Sequence, residues 1–576
     1  MNAKIYVLIT LASCIGLLLT GFPAGAGQLE TSVTLSVSGV IQQTPTETYT
    51  YIISVSGSNY QIKNGTTRQI VFQSTNSSQV FSNVVANCSD GSNIYVESGV
   101  YTVTTSWVIN VNNVTLNFEN GAKLVAGNSL GMPVLLVYAN YCSVIGVTID
   151  GNAENQVITG IYPTSPIGVL IAGSNDAVSY AQIYNVLDVG VAIYNGEQFS
   201  HNNGGYPTKS GVSNSKIYNC GSNGFSAASD SVQNSVNSYL IDSEIYGCSD
   251  VGATTYGIGT IIKGNYIHDL NGTTGTGGNV NWGIGIEGGS NAIITQNTIQ
   301  NCSTGIYNNG FNNCTISNNL IIGGNRTTAQ NGIRLHVGAE YNSVIYNSVI
   351  GMIYNLNKGN GIDLMGASFN LISGNTVSQC GYDGIFVDES SNSNAISLNI
   401  VSDNNFGRSR YSGNGGGIDI YGNNNYISQN QAFDDRPEVY VSQRYGIHME
   451  SGAYNNVLKD NNAYNNWEAN IYDPNIPENT KINNIGYNPV GPIPSPISGS
   501  TAYLVDSGSN STWISGKLYT NTGSPKVLNI SGGTVVDVAQ NGVTLFTMTG
   551  CTVTLQPGYT FSVTFSTAPT INVIGQ

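Results

Sequence analysis

The apolar positions of this chain repeat. Between about residues 140 and 475, the segments WGIGIEGGSNAIITQNTIQNC, NGIDLMGASFNLISGNTVSQC, DGIFVDESSNSNAISLNIVSDN, GGIDIYGNNNYISQNQAFDD and YGIHMESGAYNNVLKDNNAYNN share one template. It reads Gly-apolar-x-apolar-x, a short polar turn, then apolar-x-x-Asn-x-apolar. Period-two alternation inside each copy predicts strands with one face turned inward. A unit this short cannot bury itself, so each copy must stack on its neighbours as one coil. The template glycines fall at Gly283, Gly305, Gly332, Gly361, Gly384, Gly417 and Gly446, in steps of 22, 27, 29, 23, 33 and 29, as constant strands with variable turns require. Parallel crossovers are overwhelmingly right-handed. The expected fold is therefore all-β, a single-stranded right-handed parallel β-helix.

The Asn of the second half-template recurs at Asn265, Asn297, Asn319, Asn347, Asn375, Asn399, Asn430 and Asn461. Amides stacked at coil spacing hydrogen-bond as a ladder, and Asn tolerates the left-handed backbone of a tight turn. At the start of the stack, Ser77 or Ser78 is expected to cap a short amphipathic helix through Val80, Phe81, Val84 and Val85 that plugs the open end. The expected boundaries are a signal segment at 1–26, a β leader at 27–68, the β-helix at 69–488, a Pro-rich linker at 489–500 and a small sandwich-like β domain at 501–576.

Composition supports short strands and polar turns: 70 Gly and 35 Tyr in 576 residues, with only 9% charged. A net charge of −15 disfavours a nucleic-acid partner, which needs clustered Lys and Arg. Residues 1–26 read as a secretory signal, with Lys4, an apolar run and Ala24-Gly25-Ala26, and no later stretch is apolar enough to span a membrane. The expected location is secreted or cell-surface, and the expected state a monomer. Asn-X-Ser/Thr sequons, such as those at Asn76, Asn113 and Asn313, are sites of glycosylation or chance products of an Asn-rich chain. Cys220 and Cys248 recur at one point of neighbouring coils, as a disulfide or as stacked free thiols.

The stretch GSNIYVESGVYTV, then VTLNFENGAKLVAG and VTIDGN, resembles the opening of pectin-lyase-like β-helix proteins. The later coils resemble repeats of that superfamily and of NosD-like periplasmic proteins. The resemblance spans roughly residues 50–475 and implies the fold. It leaves activity open, since the superfamily holds lyases, hydrolases, epimerases and adhesins. Gly-His-Gly with Arg-Ile-Lys, Trp-Ile-Asp-His and Asp-Pro-His-Asp are all absent, so no catalytic residue transfers by motif.

Candidate chemistry lies on the outward positions of the first strand in each template. One column runs Gly285, Tyr307, Arg334, Asp363, Phe386, Asp419, His448, and the other Glu287, Asn309, His336, Met365, Asp388, Tyr421, Glu450. Six of these fourteen are charged against 9% overall, which marks a functional face in a chain that otherwise wets its surface with Asn, Ser and Thr. Long connections leading into this strand carry Arg326, Lys358, Arg408, Arg410, Arg436 and Arg444, with Trp282, Tyr411 and Tyr440, a set suited to sugar rings and uronates.

Asp363, Asp388, Asp419, His448 and Glu450 are the expected catalytic groups, and Glu287, Arg334, His336, Tyr421, Arg408, Arg410, Arg436 and Arg444 the expected substrate-binding ones. Diagonal Asp pairs at about 8 Å fit inverting glycoside hydrolysis. In a lyase, Asp363, Asp388 and Asp419 would instead hold Ca²⁺, the one candidate cofactor, while Arg334, His336 or His448 takes a proton. His201, His268, Asp150 and the Asp434-Asp435 pair are read as turn or surface residues. Three functions stay open: polysaccharide cleavage, glycan binding without catalysis, and a structural envelope role.

Overall fold

The structure, a computed structural model, describes residues 48–158, 165–194, 206–228, 235–270, 280–324, 331–353, 359–406, 415–437, 441–475 and 478–487, and the strands between 508 and 575. The expected signal segment and Pro-rich linker lie outside them. Three parallel sheets wrap one core, each coil giving one strand to each. The first sheet runs from Asn93–Val96 to Thr480–Ile482, the second from Gly99–Val103 to Asn462–Tyr464, and the third from Trp107–Ile109 to Ala469–Tyr472. The second and third sheets each hold fourteen strands. This is the right-handed parallel β-helix expected from the repeat.

Inward positions explain the winding. In the third sheet Ile284, Ile306, Ile333, Ile362, Ile385, Ile418 and Ile447 lie in register, fully buried. Each such side chain contributes about 1.5–3 kcal/mol by leaving water. The described part of the leader, from residue 48, belongs to this architecture, since Tyr51–Ser56 pairs parallel with Asn93–Val96 and antiparallel with Asn59–Asn64. Over the open end lies the helix Ser77–Ala86, with Phe81 stacked on Trp107 at 4.2 Å. Its cap is Asn76 rather than either serine: Asn76 Oδ1 accepts from Ser78 N and Gln79 N. Ser77 and Ser78 are buried in the first turn, and their hydroxyls donate to Thr102 O and Thr105 O.

The corner between the first and second sheets is two residues long in every coil from Ser143–Ile145 to Val457–Lys459. The left-handed backbone falls on the first of the two, such as Gln296, Asn318, Tyr346 and Leu398, and not on the ladder Asn as the sequence suggested. The ladder residue comes second and is buried. Asn297 Nδ2 donates to Ile262 O and Asn319 Oδ1, and the pattern recurs to Asn461. A second ladder, not foreseen, joins the third sheet to the first through Asn342, Asn370, Asn394, Asn425, Asn456 and Asn479.

Asp176 occupies a rung of that second ladder. Its Oδ1 accepts from Cys142 N at 2.7 Å, while Oδ2 is buried without a hydrogen-bond partner. Both Oδ2 and Ala139 O crowd the Cα of Gly173, where any Cβ would overlap them. In the Asn rungs the equivalent atom is a donor, as Asn370 Nδ2 is to Ala339 O. A protonated carboxyl supplies that donor, and burial pushes Asp176 up to about 8. A carboxyl raised above its unfolded value binds more protons when folded, so the stability it contributes is lost as pH rises towards and through about 8. Hydrogen exchange in the coils around Asp176 is therefore expected to quicken from about pH 4 to about 8, beyond the intrinsic pH effect, and to level off above that. Asp176→Asn should remove that extra loss.

Cys88, Cys142, Cys220, Cys248, Cys314 and Cys380 are free thiols, all but Cys88 buried, and Cys302 is buried as well. The C-terminal strands form two four-stranded antiparallel sheets. Leu528 and Ile530 of one and Val538, Phe561 and Val563 of the other are buried. Among the described residues no helix is long and apolar enough to cross a membrane.

Candidate functional site

The outer face of the third sheet changes character along the stack. Its central column runs Val108, Leu136, Leu170, Ala192, Ser226, Thr254, Gly285, Tyr307, Arg334, Asp363, Phe386, Asp419, His448, Tyr472. Leu136, Leu170 and Ala192 join Ile167, Ala172 and Val189 in a separate apolar cluster, so the early coils are sealed on this side. From Glu287 onward the face mixes charged and aromatic side chains. The second expected column also forms: His336 N, Asp388 N, Tyr421 N and Glu450 N each donate to the carbonyl of the preceding coil, namely Asn308, Leu364, Val387 and Ile420.

Register and solvation part company here. Asp363 is 3% exposed and Asp419 1%, although both point away from the core. Each is a short side chain between longer column neighbours, Arg334 and Phe386 around Asp363, Phe386 and His448 around Asp419. The expectation that this column meets water fails at these two positions and at His448.

The three aspartates engage separate partners. Asp363 Oδ2 lies 3.3 Å from Arg334 Nε, and Asn360 Nδ2 donates to Asp363 Oδ1 at 3.4 Å. Burial pushes the Asp363 carboxyl up to about 6 against the pull of Arg334 and Asn360, and Asp388 adds to the rise. Asp388 Oδ1 accepts from Gly366 N, Ser390 N and Ser391 Oγ, so half of this carboxylate fastens turns. Asp419 Oδ1 lies 2.8 Å from His448 Nδ1. Burial raises Asp419 while His448 draws it down. Among the described residues no three His, Cys, Asp or Glu side chains converge to hold a metal. The Ca²⁺ arrangement expected of Asp363, Asp388 and Asp419 is therefore not formed, because each carboxylate is turned to a different partner.

His448 stands in an aromatic slot that the sequence did not reveal. Its ring stacks on Tyr445 at 4.4 Å and Tyr472 at 5.4 Å, and Tyr445 OH donates to Glu468 Oε1. Arg444 pairs with Glu468 and lies over the Tyr445 ring at 4.9 Å, which brings Arg444 into this group. The one available signal was the residue before the template glycine, aromatic at Trp282 and Tyr445 but Thr304, Asn331, Asn360, Asp383 or Gly416 in the coils between.

The remaining candidates divide. Glu287 accepts from Thr254 Oγ1 and Tyr256 OH. Tyr307 carries Trp282 on one side at 4.0 Å and His336 on the other at 5.7 Å, while burial and Arg334 lower the imidazole of His336. Tyr421 leans on Phe386 at 5.4 Å, and Glu450 Oε2 accepts from Ser451 N. Arg436 turns elsewhere: it pairs with Asp434 and donates to Asn404 O. Asp434 is buried and also accepts from Ser442 N and Gln443 N, so it braces a connection rather than lying in a surface turn. Arg408, Arg410, Arg326, Lys358, Tyr411, Tyr440 and His201 lie outside the described residues. His268 sits on the second sheet, stacked on Tyr246 and Tyr266, and Asp150 pairs with Lys123.

No curated protein matches this chain. Among solved structures, similarity is found to the tailspike protein of E. coli bacteriophage HK620 in complex with a pentasaccharide, at 12% identity and TM-score 0.47, covering 87% of this chain and 89% of that one. Tailspike protein 3 of bacteriophage CBA120 is similar at 13% identity and TM-score 0.43, covering 78% and 64%. The A-module of the Azotobacter vinelandii mannuronan C-5 epimerase AlgE4 is similar at 12% identity and TM-score 0.36, covering 72% and 93%. Residues 282–436, which carry most of this face, match the family model described as a right handed beta helix region, and the chain is a right-handed parallel β-helix protein.

Proposed function

We propose that the chain cleaves a polysaccharide on the outer face of its third sheet, outside the cell or at its surface, with Asp363 as proton donor and Asp388 as the base that activates water. The observation that carries this reading is Asp363 itself: a buried carboxyl on an outward column, pushed up to about 6 and so still protonated in mild acid. A donor with its pKa near working pH is what glycosidic cleavage requires. Asp388 follows one coil later, with Oδ1 fixed by three donors and Oδ2 left to orient a water. Tyr307, Phe386 and Tyr421 offer apolar surface to sugar rings, and Arg334 and His336 offer donors.

One observation favours a second reading, a lyase. Asp419 Oδ1 stands 2.8 Å from His448 Nδ1, so Nε2 is the ring nitrogen that would take the proton next to a uronate carboxylate. Incubation with a panel of neutral glycans and uronans separates the outcomes. New reducing ends alone are expected; unsaturated products indicate the lyase, and tight binding without products would overturn both. The solved structures named above include one holding a pentasaccharide and one named for mannuronan, but the proposal rests on the residues of this chain.

A further inference from the structure

We infer that the outer face of the first sheet, between the coils of Ile293–Thr295 and Tyr426–Ser428, is a self-association surface whose partner is a second copy of this chain. The face is free of charge. Its outward columns read Ile293, Thr315, Ser343, Leu371, Ala395, Tyr426 and Thr295, Ser317, Ile345, Ser373, Ser397, Ser428. Two rails of left-handed corner residues border it, Asn291, Asn313, Tyr341, Phe369, Ser393, Asn424 on one side and Gln296, Asn318, Tyr346, Gly374, Leu398, Gln429 on the other. None of these is charged; Glu340 stands just outside the Tyr341 rail.

The rails expose large side chains at positions of backbone cost, as Tyr141 and Tyr180 do singly in earlier coils. A left-handed corner favours Gly, Asn or Asp, and other side chains cost about 1–2 kcal/mol there. Most corners of this chain comply, with Asn214, Asp242, Gly264, Asn318 and Asp460 among them. In the coils around Ser343–Ile345 and Ala395–Ser397 the rails instead carry Tyr341 at 58% exposure, Tyr346 at 63%, Phe369 at 49% and Leu398 at 54%. Tyr341 and Phe369 stack at 5.4 Å, and Leu371 and Ile400 add exposed apolar surface beside them. Backbone cost and exposed apolar area coincide, which points to a surface that is covered when the protein works.

Electrostatics selects the occupant. Two copies at −15 each repel, so they approach most readily where charge is absent. Six strands at about 4.8 Å by some seven residues at about 3.3 Å give roughly 600 Å² per copy, or about 1,200 Å² in a pair. That is the lower limit of a specific interface, so association is weak, and it replaces the monomer expected from sequence.

Sedimentation of the full chain at about 1–100 μM tests this, a range that brackets an interface of such size. The wild type is expected to shift from monomer to dimer across it, and the shift should strengthen as salt rises to about 0.5 M and screens the repulsion. Tyr346→Asp with Leu398→Asp suits the left-handed corners and adds like charge, so it should abolish the dimer while the melting curve stays in place. A chain that stays monomeric at every concentration and salt would overturn the proposal. So would a dimer that persists in this variant, or a neutral glycan that binds the monomer and is lost with the same two substitutions. Glycan cleavage is measured separately and decides nothing about this face.

Discussion

Asp363→Asn is expected to lower glycan turnover by about 10²–10⁴-fold, the usual loss when a proton donor is removed. The substitution is nearly isosteric and the side chain points away from the core, so thermal unfolding of the variant should stay close to the parent. The pH profile supplies an independent check. A donor pushed up to about 6 keeps its proton below that value and loses it above, so the wild-type rate should fall as pH rises through about 6. Any residual rate in the variant should lack that limb. Unchanged turnover in Asp363→Asn, measured as reducing ends released, would remove Asp363 from the chemistry and leave the Asp419–His448 pair as the stronger candidate.

The second large effect concerns stability. Asn375 lies mid-ladder: its Oδ1 accepts from Asn347 N at 2.9 Å and Asn347 Nδ2 at 3.0 Å, and its Nδ2 donates to Val344 O at 2.9 Å. Asn375→Ala leaves Asn347 N and Val344 O buried without these partners, at about 1–3 kcal/mol each. A total of about 2–5 kcal/mol should appear as faster hydrogen exchange in the flanking coils and a lower unfolding midpoint. Asn375→Ser should cost less, because earlier rungs are served by serine: Ser243 Oγ accepts from Ser215 N at 3.1 Å. If alanine and serine cost the same, the amide is not what holds the corner.

The two outward columns were legible because alternation fixes which side chains share a face and stacking carries that register from coil to coil. The first ladder was legible for a related reason: a corner of constant length keeps its Asn at one template position. The second ladder hides behind a turn of varying length, from Ile286 to Ile293 in one coil and Leu335 to Ser343 in another, so its Asn residues drift in the alignment. Burial was the larger omission. Alternation says that Asp363 and Asp419 point outward, but Arg334, Phe386 and His448, set beside them only by stacking, decide whether water follows. The same holds for Asp434, which reads as a turn residue and lies buried under Arg436.

The two-residue corner constrains how this protein can be altered. A single inserted residue there would displace a buried amide and break contact with the coils on both sides. The connection entering the third sheet is clamped near its start, where buried Asn404 bonds Cys380 N and Gln443, yet its length still varies, from three residues after Thr298–Gln300 to fifteen after Ile400–Ser402. Lengthening and substitution are therefore admitted on one flank, the flank beside the candidate site. Grafting foreign segments between Phe406 and Gly415, which keeps Asn404, Asn405 and Gly416 in place, should change what the protein recognises without disturbing the winding that presents it.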